Sequence, residues 1–274
     1  MKLQRTANAG ILLELDGVTI LLDGMCRDAH GYPGTPDILR KEILENPPDI
    51  YAYTHTHEDH YDPDYAAAFR QAGRVIIGPG EGTAVTVKGV TVTAIPNRHI
   101  GKADCDHVGF VITGSQCLWF MGDSAPIKWR GREDLRKPDV VIGPYAYAIA
   151  SGWDITRSLN PKEVVILHLP PKDTDPYGLW PAVMENVKKL VTSPKLFVNV
   201  SKGIEPSTLL TVSGIAEEIF TEKEMKGFVT LSGPSHAEEV IERKLTVLVA
   251  ASKNITIALL TVALPTAALS LALI

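Results

Sequence analysis

The chain has 274 residues, with 27 Lys and Arg against 32 Asp and Glu, a formal net charge of -5 and 45% hydrophobic residues. That length holds one full domain and part of a second, and the apolar fraction is that of a globular core rather than a disordered chain. The acidic balance leaves no basic footprint for nucleic acid, and Cys26, Cys105 and Cys117 contain no C-x-x-C pair, which argues against a disulfide framework and a thiolate metal site.

The first residues, MKLQRTANAG, lack a continuous apolar core and a small-residue cleavage site, so no signal peptide is expected and the cytoplasm is the default location. ILLEL and VTILL flank Asp16-Gly17, the two-residue signal of a type I′ hairpin. Asp23 follows the second run; it is either a group that orients a ligand histidine or a turn carboxylate before Gly24. The short apolar run IYAYT reads as a buried strand.

That strand delivers His55, Thr56, His57, Glu58, Asp59 and His60, an H-x-H-x-D-H cluster. Extended backbone points His55 and His57 to the same side. Three imidazoles and a carboxylate this close repel one another or strand donors unless a cation gathers them, so the cluster reads as a metal site. After it, Asp62 can cap a helix that starts at Pro63, carries Ala66, Ala67, Ala68 and Phe69, and stops at Gly73.

On this motif the chain resembles the metallo-β-lactamase superfamily, over residues 1 to about 194. The resemblance implies an α/β fold, a four-layer αββα sandwich, with further ligands from later loops that each follow a strand. VTVTAIP leads to Asn97, Arg98 and His99; CLWFMG leads to Asp123; EVVIL leads to His168. Carried over by position, His55, His57 and His99 hold one metal, Asp59, His60 and His168 hold a second, and Asp123 bridges. His107 competes with His99 for the third position, since both lie between VTVTAIP and VGFVI; His99 is preferred because it leaves its strand directly. Nitrogen and oxygen ligands suit two zinc ions and also admit manganese or iron. The activity implied is hydrolysis of a small ester, lactone or phosphodiester by a metal-activated water, with Asp59 as proton acceptor by family analogy.

Gly78, Gly80 and Gly82 precede TAVTVKGVTVTAIP, which reads as strand, so they are turns and not a phosphate loop. Tyr145, Tyr147, Trp153, Lys172 and Trp180 flank Asp123 or His168 and could line a pocket, but loop packing explains them better. A small-molecule substrate is expected, with no nucleic-acid partner; the oligomeric state is open. Metal binding without turnover is a competing reading.

From about Lys195, KLFVNVSKGIEPSTLL and FVTLSGPSHAEEVIERKLTVLVAAS resemble the nucleotide-binding half of NAD(P)-dependent glycerol-3-phosphate dehydrogenase. The resemblance makes Lys202, Gly233, Ser235 and Ala237 substrate- and cofactor-facing, within a partial Rossmann-like α/β segment over 195–274. No G-x-G-x-x-G turn is present to let backbone approach a pyrophosphate, and the family's proton-accepting lysine belongs to a helical domain beyond this sequence. NAD(P) is therefore not expected as a cofactor. The segment reads as an inert remnant from a gene fusion or assembly error, with its boundary at Ser193 and Pro194. The final ITIALLTVALPTAALSLALI has the roughly 20 apolar residues a membrane anchor needs, but Pro265 sits mid-span, so a buried or out-of-frame tail is preferred.

Overall fold

The computed structural model describes residues 1–29, 31–101, 105–132, 134–169, 179–190, 195–199, 211–221, 223–232, 249–254 and 256. They fall into two compact units, Met1–Pro171 and Lys172–Ile274. The break expected at Ser193 and Pro194 lies outside the described residues.

The first unit opens with β1 (Lys2–Arg5), β2 (Ile11–Leu15) and β3 (Val18–Leu22). Asp16 and Gly17, between the last two strands, have φ of 51° and 77°, the pair of positive values that a type I′ turn requires. Next come α1 (Asp37–Glu45), β4 (Ile50–Ala52), α2 (Pro63–Gln71) and β5 (Val75–Ile77). These strands form one sheet in the order β1-β2-β3-β4-β5.

β6 (Ala84–Val87), β7 (Val90–Asn97), β8 (His107–Thr113), β9 (Cys117–Phe120), β10 (Val140–Pro144), α3 (Ala150–Leu159) and β11 (Glu163–Leu167) complete the unit. Their strands form a second sheet in the order β11-β10-β9-β8-β7-β6. The glycine-rich stretch does lead into strands, and Gly80 and Gly82 take positive φ as turn residues.

Period-two alternation in β2, where Ile11, Leu13 and Leu15 are buried, sends one face of the first sheet inward. Those residues pack with Ile20 and Ile50 against Val92, Phe110, Leu118 and Ile142 of the second sheet, which makes the central core. Ile43 of α1 and Tyr65 and Phe69 of α2 cover the outer face of the first sheet at Leu21 and Tyr51. Ile155 of α3 joins Trp119, Trp129 and Val141 on the outer face of the second. Helix, sheet, sheet, helix is the αββα sandwich that the motif implied.

The second unit contains α4 (Leu179–Leu190), β12 (Lys195–Asn199), α5 (Val212–Ile219), β13 (Met225–Ser232) and β14 (Val249–Ala251). β12 and β13 pair in parallel around the intervening α5, the arrangement of a Rossmann-like β-α-β unit, and β14 adds antiparallel. Thr211 caps α5 by accepting from Gly214 N at 3.3 Å. Lys202, Gly233, Ser235 and Ala237 lie outside the described residues, as does nearly all of the apolar tail. Among the described residues no helix is long and apolar enough to cross a membrane.

Candidate metal centre

Every expected ligand leaves the C-terminal end of a strand. β4 ends at Ala52, three residues before His55; β7 at Asn97, before His99; β9 at Phe120, before Asp123; β11 at Leu167, directly before His168. Because the strands are anchored in the shared core, their ends form a rigid edge on which short loops can place side chains. Three groups of ligand atoms draw together there: His55, His57 and His99; His55, His60 and Asp123; and Asp59, His60 and His168.

The hydrogen-bond network decides which nitrogen of each ring faces the cluster, with protons assigned from donors and acceptors. The Asp23 carboxylate accepts from Thr54 N, Thr54 Oγ1 and His60 Nδ1 at 2.7, 2.7 and 2.8 Å. With its proton given to Asp23, Thr54 Oγ1 accepts from His55 Nδ1 at 3.0 Å. His99 Nδ1 donates to the Ile100 carbonyl at 2.6 Å. The Nε2 atoms of His55 and His99 are left as bare lone pairs, and His60 Nε2 points into the same space.

The consequences are visible in what those lone pairs meet. His55 Nε2 lies 2.9 Å from His57 Nδ1 and, with its own Nδ1 proton given to Thr54, accepts a hydrogen bond from it. His60 Nε2, His99 Nε2 and both nitrogens of His168 are buried with no hydrogen-bond partner. Each such orphan costs about 1–3 kcal/mol. Asp123 Oδ2 stands 3.6 Å from His60 Nε2, 3.6 Å from His99 Nε2 and 3.4 Å from His168 Nε2, and Asp59 Oδ2 stands 3.2 Å from His168 Nε2. These atoms fit divalent cations: imidazole nitrogens and carboxylates converging on one space, with the His60, His99 and His168 nitrogens unpartnered until something positive sits among them.

Electrostatics agree. Burial pushes the His55 and His57 imidazoles down and so keeps them neutral. Burial alone would raise the Asp59 and Asp123 carboxyls, but His168 and His60 beside them outweigh it and hold both below the usual carboxylate range. Burial also opposes charge on His60, yet Asp123 and Asp23 together raise it.

The surrounding loops are clamped. Arg27 N donates to the Glu58 carbonyl at 2.8 Å, and Arg40 reaches both Asp62 Oδ2 and the Cys26 carbonyl at 2.8 Å. Asp62 Oδ1 also caps α2 by accepting from Asp64 N and Tyr65 N, so the ligand loop ends in a fixed helix start. Behind Asp123, Ser124 Oγ accepts from Trp129 Nε1 at 2.8 Å and Tyr147 Oη donates to the Ser124 carbonyl at 3.0 Å. Backbone bonds from Ile100 N to the Asp123 carbonyl and from Ala125 N to the Arg98 carbonyl, both 2.7 Å, tie the His99 and Asp123 loops together.

All seven expected side chains are therefore brought together, and His99 rather than His107 joins His55 and His57. Asp23 is fully buried and orients His60, so the turn reading is set aside in favour of the orienting one. Of the aromatics considered for a pocket, Tyr147 is buried in the core and Tyr145 is half-buried. Lys172 and the side chains of Trp153 and Trp180 lie outside what the structure describes. Thr54 and Tyr32 were not singled out from sequence. Thr54 had a signal in its place directly before His55; Tyr32, whose ring meets His168 edge-on at 4.5 Å, had none.

The beta-lactamase superfamily domain model matches residues 2–168, more than half of the chain. The chain belongs to the beta-lactamase superfamily. The match ends on His168, the last of the clustered ligands. A second model, the NAD-dependent glycerol-3-phosphate dehydrogenase N-terminus, matches residues 146–258, so α3 and β11 are claimed by both.

Among curated proteins, this superfamily member is 42% identical over 105 residues to glycerol-3-phosphate dehydrogenase [NAD(P)+] of Onion yellows phytoplasma, which is 38% of this chain and 30% of that protein. It spans under a third of the dehydrogenase's length. Among solved structures it resembles Igni18, a metallo hydrolase from Ignicoccus hospitalis, at 19% identity and a TM-score of 0.43, covering 69% of this chain and 89% of that one. It also resembles an isothiocyanate hydrolase from Delia radicum gut bacteria at 19% identity and a TM-score of 0.44, covering 62% and 85%. The whole histidine and carboxylate cluster of this superfamily member lies within the matched residues 2–168.

Proposed function

We propose that the chain hydrolyses a small ester, lactone or phosphodiester with a water activated between two divalent cations. The observation that carries this reading is the convergence of seven side chains from four strand ends, with buried nitrogens of His60, His99 and His168 left without a hydrogen-bond partner. His55 Nε2, His57 Nδ1 and His99 Nε2 would hold one ion, Asp59, His60 and His168 the other, and Asp123 faces both sets. Bound there, the ions would lower the pKa of a water toward about 7 and polarise the substrate's carbonyl or phosphoryl oxygen. Zinc suits these ligands, as do manganese and iron.

The chain's own residues supply the rest. Asp59, kept ionised by its neighbours, accepts the proton released by the attacking water. Asp23 and Thr54 hold the His60 and His55 rings in the orientation that presents Nε2. His57 is half-buried whereas His55 and His60 are fully buried, so substrate enters on the His57 side. The dehydrogenase-like segment, with Lys202, Gly233, Ser235 and Ala237, takes no part in this chemistry and transfers no hydride, since it lacks the glycine-rich turn for NAD(P).

The test is turnover on a panel of simple esters, lactones and phosphodiesters, with and without chelator. Hydrolysis abolished by chelation and by His57→Ala, but untouched by Lys202→Ala, is expected. Turnover that survives chelation, or equal damage from both substitutions, overturns the reading.

A further inference from the structure

His107 is 4% exposed, and neither of its ring nitrogens has a hydrogen-bond partner. A neutral imidazole carries one donor and one acceptor, so burying it unpaired is worse than burying an apolar ring of the same size. The ring centroid lies 5.1 Å from that of His55 and 5.7 Å from that of His99. Those spacings are close to the 4.4, 4.9 and 4.9 Å among His55, His57 and His99, and to the 5.2 Å between His60 and His168. The backbone is fixed: His107 pairs with Asn97 across β7 and β8, and Val108 N donates to the Thr54 carbonyl at 2.9 Å, next to His55. Strand alternation puts Gly109 on the same face as His107, and there a Cβ would meet Trp129 Cζ2 at 2.4 Å. That direction is filled, so the ring is confined beside the cluster.

We propose that His107 is an eighth side chain of the metal centre, a supplementary imidazole for the ion held by His55, His57 and His99. This inference rests on the dinuclear reading above. His107 is not part of the three close ligand groups, so it engages by turning its ring when the ion is taken up. The pocket then offers four nitrogens before Asp123 and water are counted, which suits an ion that accepts more than four ligands, such as manganese, iron or cobalt, better than tetrahedral zinc.

The test uses the full chain with cobalt(II) as probe. His107→Phe fills the space and removes the orphaned nitrogens; it should leave the melting temperature of the metal-free protein unchanged or raise it. The same variant should weaken binding of the first cobalt equivalent by about 10- to 100-fold and shift its visible absorption bands. In His107→Ala, added free imidazole should restore the bands. Unaltered affinity and spectrum in His107→Phe overturn the proposal. So does a loss of metal-free stability that matches the loss of affinity, since that marks a packing role. If His57→Ala also binds cobalt normally, the dinuclear reading itself has failed; if only the His107 variants do, that reading stands and this inference falls.

Discussion

Asp23 Oδ2 lies 2.8 Å from His60 Nδ1 with both side chains fully buried, and this pair determines that His60 presents Nε2 to the metal cluster. Asp23 also receives two bonds from Thr54, which in turn accepts from His55. One carboxylate therefore sets two ligand rings, one in each metal group. Asp23 itself sits at φ 46°, a left-handed conformation that a non-glycine residue holds only where surrounding structure imposes it.

Asp23→Asn keeps the shape but turns an acceptor toward a donor. It should cost about 10- to 100-fold in affinity for the ion at Asp59, His60 and His168. Metal stoichiometry by mass spectrometry after dialysis against a weak chelator checks this; two tightly retained ions in the variant would contradict it.

Gly122 has φ 50°, and a Cβ there would lie 2.4–2.7 Å from Thr54 Cγ2, Cβ and Oγ1. Gly122→Ala thus combines a strained backbone with a push on the residue that orients His55. A loss of at least about 2 kcal/mol in urea unfolding is expected, together with weaker metal binding. Wild-type stability in this variant would mean that Thr54 yields freely.

Asp62→Ala removes the cap of α2 and the anchor for Arg40 at the end of the ligand loop. The expected cost is about 1–2 kcal/mol. Asp62→Asn should recover most of the cap but not the Arg40 ion pair, so a denaturant series across the two variants separates the contributions.

The metal-free protein should lose stability in acid through its neutral histidines. Burial depresses His55 and His107, the latter to about 3, while the unfolded chain takes up protons near pH 6.5. Between those limits the unfolded state binds more protons on these two groups, so their contribution to stability is full above about 6.5 and falls as pH drops toward 3. Each group contributes at most about 1.4 kcal/mol per pH unit. Asp23, raised by burial despite its bonds to His60, opposes this. His60, raised against its burial by Asp123 and Asp23, opposes it only near pH 6.5, where the unfolded histidine is still part neutral. His57, lowered by burial, adds to the loss as pH falls further. Urea midpoints of the chelated protein from pH 6.5 to 5 should decline, and His107→Phe should flatten the decline; a flat wild-type profile would remove the basis for this account.

The local signals were legible because each is a short-range constraint. The Asp16-Gly17 turn needs two positive φ angles and has them, and Asp62 with Pro63 starts α2 where the cap and the fixed proline φ put it. The H-x-H-x-D-H loop announces a metal site because like groups packed into six positions have no other stable use.

What sequence could not provide is convergence across distance. His99 and His107 are equivalent in composition and nearly so in position, and only the pairing of β7 with β8 and the docking of the 98–100 loop on the 123–125 loop places the first inside the ligand group and the second beside it. The unit boundary at Pro171 and the contact of Tyr32 with His168 are likewise tertiary facts, since they depend on which apolar faces share a core. Sequence by itself determined which side chains could bind a cation and which turns the chain must make, because those follow from ligand chemistry and backbone sterics over a few residues. The tertiary structure alone decided which of them meet and which nitrogen His60 and His55 present, because Asp23 orients the first directly and the second through Thr54, more than thirty positions away in sequence.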